Sequence, residues 1–156
     1  MTGAGRVLGV DYGERRMGLS LSDSLRMVAT PLETITVENA KQTFRRLREV
    51  IAENQVTAVV VGLPLHLDGG RGDLALAAEA FAEKLKGQIP SLQMVLWDER
   101  LSSTEAERIL RHGSAKAARR KEMRDQLAAQ LILQSWLDAQ AGEDEDDAFD
   151  DASPYG

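Results

Sequence analysis

The chain contains no cysteine and only two histidines among its 156 residues. Without cysteine there can be no disulfide, no thiolate metal site and no cysteine nucleophile, and this composition is compatible with a reducing cytosol. His66 and His112 lie far apart in the sequence, so the histidine and cysteine sets that zinc prefers are missing as well. A metal site in this chain would therefore have to be built from oxygen ligands.

Long apolar segments are also scarce. The longest runs from Ala58 to Leu65, which is far too short to span a membrane. Residues 1–6 carry no apolar signal region. We therefore expect a soluble, cytoplasmic protein without a membrane partner.

A chain of this length fits one domain with a sizeable core. We expect this single folded domain to cover residues 1–140. Residues 141–156 are acidic and poor in bulky apolar side chains, which predicts a disordered C-terminal tail.

The formal net charge of −6 is unevenly distributed. Seven of the 25 acidic residues lie between Glu143 and Asp151, so the remaining 18 face 19 Lys and Arg, and the rest of the chain is near +1. Between Arg108 and Arg124 there are seven basic residues and a single acid, Glu122. Such a run can be a solvated helix face or a surface that contacts phosphates, and its position beside a candidate carboxylate favours the second interpretation.

Hydrophobic patterning predicts three strands first, followed by alternating helices and strands. The pattern at 17–22, with apolar residues at every second position, predicts a half-buried strand antiparallel to the first. Strand, helix and strand between 58 and 97 predict a parallel pair with a right-handed crossover. The fold class is therefore α/β: a mixed five-stranded sheet, antiparallel in strands one to three and then parallel, with helices on both faces. Strands are expected at 6–11, 17–22, 29–36, 58–62 and 92–97, and helices at 40–53, 74–85, 102–113 and 117–139.

Two apolar strands end in acidic residues. Asp11 directly follows Val10, and Asp98 and Glu99 follow the apolar run of the last strand. Because ligands bind at the carboxyl ends of strands in such sheets, these acids are expected at one edge of the sheet. Adjacent strand residues face opposite sides, so only one of the last two points inward. The prediction is Glu99, with Asp98 as the alternative.

A third acid, Asp125, lies in the last predicted helix. Its neighbours within roughly 60° around the helix axis are Ala128, Ala129, Ile132 and Trp136. Asp125 is therefore expected on or beside the apolar face, where a carboxylate needs a partner or must become protonated. The alternative is a surface ion pair with one of the basic residues that precede it.

Three converging carboxylates repel one another, and a divalent cation removes that penalty. Hard oxygen ligands select Mg²⁺ or Mn²⁺, and two such ions about 4 Å apart can activate a water and stabilise the leaving oxygen of a phosphodiester. We therefore predict that Asp11, Glu99 and Asp125 are the catalytic metal ligands of a phosphodiester hydrolase. For Asp11 the alternative is a structural role at the turn that contains Gly13.

Four sequence blocks, in this order, resemble the YqgF family, also called RuvX. The first block is V-L-G-V-D-Y-G-E-R-R-M-G at 7–18, and the second is G-L-P-L-H-L-D-G at 62–69, where His66 replaces a usual asparagine. The third is D-E-R-L-S-S-T-E-A at 98–106, and the fourth is D-Q-L-A-A-Q-L-I-L at 125–133. Each block is weak alone, but together they cover nearly the whole predicted domain.

The resemblance implies an RNase H-like fold and a metal-dependent nuclease, and it carries the catalytic roles onto Asp11, Glu99 (or Asp98) and Asp125. It implies a nucleic-acid partner, either the 5′ end of a 16S rRNA precursor or, by similarity to RuvC, a branched DNA such as a Holliday junction. The state would be a monomer or a homodimer. The basic residues expected to contact nucleic acid are Arg15, Arg16, Arg100, Arg119, Arg120 and Arg124.

Two other classes of function compete with a nuclease. Asp11-Tyr12-Gly13 also resembles the phosphate loop of ATP-using sugar kinases, but those enzymes need two lobes and this chain is too short for them. A non-catalytic nucleic-acid-binding module would explain the basic residues. It would not explain the acids, because an anionic cluster repels phosphate unless a metal ion is bound.

Overall fold

The computed structural model describes residues 5–64, 72–99 and 117–152, and within the last range it describes side chains for 123–142. The strands are β1 (Arg6–Asp11), β2 (Arg16–Ser22), β3 (Ala29–Thr36), β4 (Val56–Leu63) and β5 (Gln93–Asp98), and the helices are α1 (Ala40–Glu53), α2 (Asp73–Gln88) and α3 (Ala117–Ala152).

The five strands form one sheet in the order β3-β2-β1-β4-β5. The pairs β1–β2 and β2–β3 are antiparallel, whereas β4 is parallel to both β1 and β5. The predicted α/β class with a mixed five-stranded sheet is therefore confirmed. The helix predicted at 102–113 lies outside the described residues.

Helices cover both faces of the sheet. On one face, α1 and α2 bury Leu47 and Leu85 against the apolar side chains of the central strands. On the other face, α3 buries Ile132 and Leu133. Burial of one such side chain contributes about 1.5–3 kcal/mol. The continuous apolar run of β4 follows from this arrangement, since a strand covered on both sides has no water-facing positions.

β2 is buried on both faces, so the prediction of a half-buried strand is wrong. Ser20 and Ser22 face α3 and are almost completely buried. The Ser20 hydroxyl donates to the Ala129 carbonyl at 2.7 Å, and the Ser22 hydroxyl accepts from the Val7 N–H at 2.8 Å. Small hydroxyl side chains can be satisfied in this way beneath a helix, and an alternating pattern does not distinguish a helix-facing serine from a water-facing one.

Glycines on the sheet allow α3 to approach closely. A Cβ atom at Gly18 would collide with the backbone of Asp125, and a Cβ at Gly9 would collide with the side chain of Leu133. Gly62 is similarly covered by Ile132. The helix therefore lies directly on strand backbone near the ends of β1 and β2.

α3 extends to Ala152, whereas the sequence predicted a helix ending near Ala139 and a disordered segment after 140. Extending an existing helix needs no new nucleation, so the backbone of this acidic segment can continue the helix although its five aspartates and Gly142 are poor helix formers. The division into a domain at 1–140 and a separate tail at 141–156 stays a prediction. In the described parts of the chain, no helix is both long enough and apolar enough to cross a membrane.

Candidate active site

Asp11 is the last residue of β1, at the edge where the parallel strands end. Side chains alternate along a strand, and Val7 and Gly9 both face α3, so Asp11 faces α3 as well. Its partner across the β1–β2 pair is Gly18. Asp11 is therefore directed towards the part of α3 that lies over Gly18.

That part of α3 contains Asp125, whose backbone lies against Gly18. The carboxylate of Asp125 accepts a hydrogen bond from Arg16 Nε through its Oδ2 atom, at 2.7 Å. Asp125 is thus close to Asp11 and is oriented by a basic residue of β2. This location agrees with the predicted apolar-side position of Asp125 and adds an ion-pair partner from a distant part of the chain.

Glu99 reaches the same place from the end of β5. Val95 and Trp97 pack on the α3 side of the sheet, whereas Met94 packs on the opposite side. Alternation therefore directs Asp98 away from α3 and Glu99 towards it. Consistently, the Glu99 carboxyl is hydrogen-bonded to that of Asp11. We refer to Asp11, Glu99 and Asp125 as the acid trio.

Asp11 is the member of the acid trio whose pKa is strongly raised. Burial raises the pKa of the Asp11 carboxyl from its ordinary value of 3.8 to about 9, and the charge of Glu99, a hydrogen bond with Glu99 and the charge of Asp125 add to the increase. Without an added positive charge beside it, this carboxyl holds a proton at neutral pH. A buried acid that is repelled by two others is the arrangement that a cation would stabilise.

The donor set fits a hard divalent cation, since it consists of carboxylate oxygens only. Among the described residues, no three acidic or histidine side chains already surround a common point as ligands of one ion. Contacts within the chain account for this geometry, because Asp11 and Glu99 are hydrogen-bonded to each other and Asp125 is hydrogen-bonded to Arg16. A bound cation would neutralise the Asp11 carboxyl in place of its proton.

The predicted nucleic-acid-binding residues have different surroundings, and their contact with nucleic acid stays a prediction. Arg15 and Arg124 are exposed and lie beside Arg16 and Asp125 in the sequence. Arg16 forms the ion pair with Asp125. The side chains of Arg100, Arg119 and Arg120 lie outside the described residues.

Sequence reasoning missed Gly18 and the ion pair of Arg16. Gly18 was visible as the glycine that closes the first block, but its meaning depends on which helix covers it. The partner of Arg16 is 109 residues away in the chain, so no local pattern indicates it.

The sheet order, the strand directions and the helices on both faces define an RNase H-like fold. A solved structure of Thermus thermophilus RuvC in complex with a Holliday junction substrate aligns with 88% of this chain and 96% of its own, with a TM-score of 0.52 and 18% sequence identity. At that identity the likeness concerns the fold.

The chain belongs to the RuvX family, whose model is described as "Holliday junction resolvase" and matches residues 5–139. A protein from Myxococcus xanthus is 42% identical over 146 residues, which is 94% of this chain and 96% of that protein. One from a Geobacillus species is 41% identical over 136 residues, covering 86% and 98% respectively. Both carry the name "Putative pre-16S rRNA nuclease". The resemblance drawn from the four sequence blocks is confirmed.

Proposed function

We propose that this protein is a divalent-metal-dependent nuclease that hydrolyses phosphodiester bonds of structured nucleic acid at the acid trio. The observation that carries the proposal is the buried carboxyl of Asp11, which lies beside Glu99 and Asp125 at the carboxyl ends of the parallel strands. The names of its relatives, which describe nucleases, support the same chemistry.

In this proposal the acid trio would hold Mg²⁺ or Mn²⁺, which supplies an activated water and stabilises charge on the leaving oxygen. Asp11, whose carboxyl is buried, would be one ligand of the cation. Asp125 would be a second ligand, from the helix side. Glu99 would be a third ligand or would orient the attacking water, since its carboxyl lies beside that of Asp11.

Around the acid trio, basic side chains would hold the phosphates. Arg15 and Arg124 are the described residues in a suitable exposed position. Arg100, Arg119 and Arg120 belong to the same proposal on the strength of the sequence alone. A positive rim around an anionic centre attracts the phosphate backbone, while the bound cation neutralises the centre.

The proposed substrate is the 5′ end of a 16S rRNA precursor, which is supported by the names of the relatives. A cytoplasmic location is part of this proposal. The description of the family model supports a second substrate, a Holliday junction. Cutting two strands of a junction would require a symmetric homodimer, whereas trimming an RNA end could be done by a monomer.

The test is Mn²⁺-dependent cleavage of an rRNA precursor and of a four-way DNA junction, compared side by side. We expect wild-type protein to cut at least one of them and Asp11→Asn to lose the activity while remaining folded. Asp138→Asn is the matched control, because Asp138 is an exposed aspartate elsewhere on α3.

Full activity of Asp11→Asn would contradict the assignment of the acid trio. Salt-dependent binding of both nucleic acids without cleavage in any divalent metal would instead favour a non-catalytic binding module.

A further inference from the structure

Arg16 and Asp125 form an ion pair at the border of the acid trio. Arg16 Nε donates to Asp125 Oδ2 at 2.7 Å, and the two side chains are 37% and 14% exposed. A hydrogen bond of this length between charged groups belongs to the strong class. The pair therefore restricts the orientation of the Asp125 carboxylate.

β2 holds Asp125 in a second way. Gly18 follows Arg16 by two residues, so both lie on the same face of the strand, and the backbone of Asp125 rests on Gly18. One strand thus fixes the height of Asp125 above the sheet and the direction of its carboxylate.

The ion pair also brings a positive charge to a site with three acids. Asp11 is next to both Glu99 and Asp125, and repulsion between carboxylates is stronger in such a partly buried site than in water. A guanidinium bonded to one member of the acid trio reduces that repulsion.

We infer that Arg16 is a positioning residue of the metal site: its Nε holds Oδ2 of Asp125, so that Oδ1 is the oxygen presented to a divalent cation. The inference rests on the proposed function and assigns Arg16 a role different from the phosphate contact predicted from the sequence. Partners that orient metal-binding side chains typically contribute 10- to 100-fold to metal affinity or activity.

Two simpler roles make different predictions. If Arg16 contacts phosphate, its removal weakens nucleic-acid binding and lowers the salt dependence, while Mn²⁺ affinity stays the same or increases because a competing positive charge is gone. If the ion pair only fastens β2 to α3, its removal lowers stability and leaves Mn²⁺ affinity unchanged.

The experiment measures Mn²⁺ binding to the full chain from the electron paramagnetic resonance signal of the free ion. The variants are Arg16→Gln, Arg16→Lys and Asp11→Asn, and far-ultraviolet circular dichroism confirms that each is folded. Arg46→Gln is the matched control, because Arg46 forms an ion pair with Glu33 of the same 2.7 Å length and similar 39% exposure on the opposite face of the sheet. Nucleic-acid binding is measured on the same samples.

We expect Arg16→Gln to raise the Mn²⁺ dissociation constant about 10- to 100-fold and Arg46→Gln to leave it unchanged. Arg16→Lys should give an intermediate value, because it keeps the charge but not the planar guanidinium geometry. If Arg16→Gln fails to fold, the lysine variant still decides the question, since wild-type affinity in that variant would overturn a role of guanidinium geometry.

Unchanged or tighter Mn²⁺ binding in Arg16→Gln would overturn the inference, and a simultaneous loss of nucleic-acid binding would favour a phosphate contact. If the proposed function is wrong, the results differ from these: wild-type protein does not bind Mn²⁺, or Asp11→Asn binds it as well as wild type does.

Discussion

Gly18 of β2 lies directly beneath the backbone of Asp125 on α3, with no room between them for a Cβ atom. The register of the sheet pairs the same glycine with Asp11. The distance between two members of the acid trio is therefore set by a residue that contributes no functional group. This relationship makes the geometry of the site sensitive to a single methyl group.

Gly18→Ala should displace α3 and separate Asp125 from Asp11. Overpacking of this kind costs about 1–3 kcal/mol of folding free energy, and a displacement near 1 Å can lower a rate about 100-fold. Urea unfolding and Mn²⁺-dependent cleavage would measure the two effects.

The control for that substitution is Gly87→Ala in α2, where a Cβ atom would meet nothing within 4 Å. Alanine is the better helix former, so this variant should gain about 0.5–1 kcal/mol. Wild-type stability and activity of Gly18→Ala would show that α3 can adjust without moving Asp125.

Asp11→Asn should remove activity and increase stability in the absence of divalent cations. At neutral pH the folded wild type must keep a proton on the buried Asp11 carboxyl that the unfolded chain releases, whereas an amide needs no such proton. We expect a gain of about 1–2 kcal/mol in the free energy of unfolding at neutral pH, as is common when a strained active site is relaxed. Asp138→Asn should keep wild-type activity and should change the free energy of unfolding by no more than about 0.5 kcal/mol, because surface substitutions rarely do more. If Asp11→Asn were less stable than wild type, this would contradict the raised pKa of the Asp11 carboxyl.

The sequence could predict where Asp11 lies, because an acid that directly follows an apolar strand stands at a strand end. It favoured Glu99 at the end of β5 but left Asp98 open as the alternative. β5 carries apolar side chains at consecutive positions, so its pattern does not show which residues face α3, and only packing against Trp97 and its neighbours decides this. The directions of the strands were predicted from element order and the crossover rule, whereas their order in the sheet was not.

The ion pair of Arg16 could not be predicted for a different reason. The residue belongs to a turn-and-strand segment with basic neighbours, which is typical of a phosphate contact. Its partner Asp125 is brought to it by the packing of α3, which in turn depends on the glycines beneath that helix. Tertiary contacts of this kind leave no periodic pattern in the sequence.

Gln134 fastens α3 to the beginning of β3. Its Oε1 accepts from the Ala29 N–H at 2.9 Å, and its Nε2 donates to the Met27 carbonyl at 3.0 Å. Gln134→Ala should lower the free energy of unfolding by about 1–2 kcal/mol, since a backbone N–H loses its partner in a partly buried place. Gln126→Ala, which loses a 3.2 Å bond to the Thr34 hydroxyl, should cost less. If urea unfolding gave the same loss of free energy for both variants, the bonds of Gln134 to Ala29 and Met27 would not stabilise the fold more than that of Gln126 does.

The stability of the protein without divalent cations should decrease as the pH rises. The pKa of Asp11 is about 9 in the folded chain, against an ordinary value of 3.8. The folded state therefore keeps a proton that the unfolded chain releases, and the stability due to neutral Asp11 is complete below about pH 4 and lost as the pH approaches about 9. The slope for one proton is at most about 1.4 kcal/mol per pH unit.

This effect is measured as the difference in unfolding free energy between wild type and Asp11→Asn from about pH 5 to about pH 9. The lower limit avoids Asp23, whose pKa is lowered by hydrogen bonds from the backbone N–H groups of Val28 and Met27, so that its contribution is lost only in more acidic solution. The advantage of Asp11→Asn over wild type should grow with pH. Added Mn²⁺ should stabilise wild type more at the alkaline end, because it binds the ionised carboxyl. Parallel curves for the two proteins would show that the pKa of Asp11 is not raised in the folded chain, since folded and unfolded wild type would then bind the same number of protons.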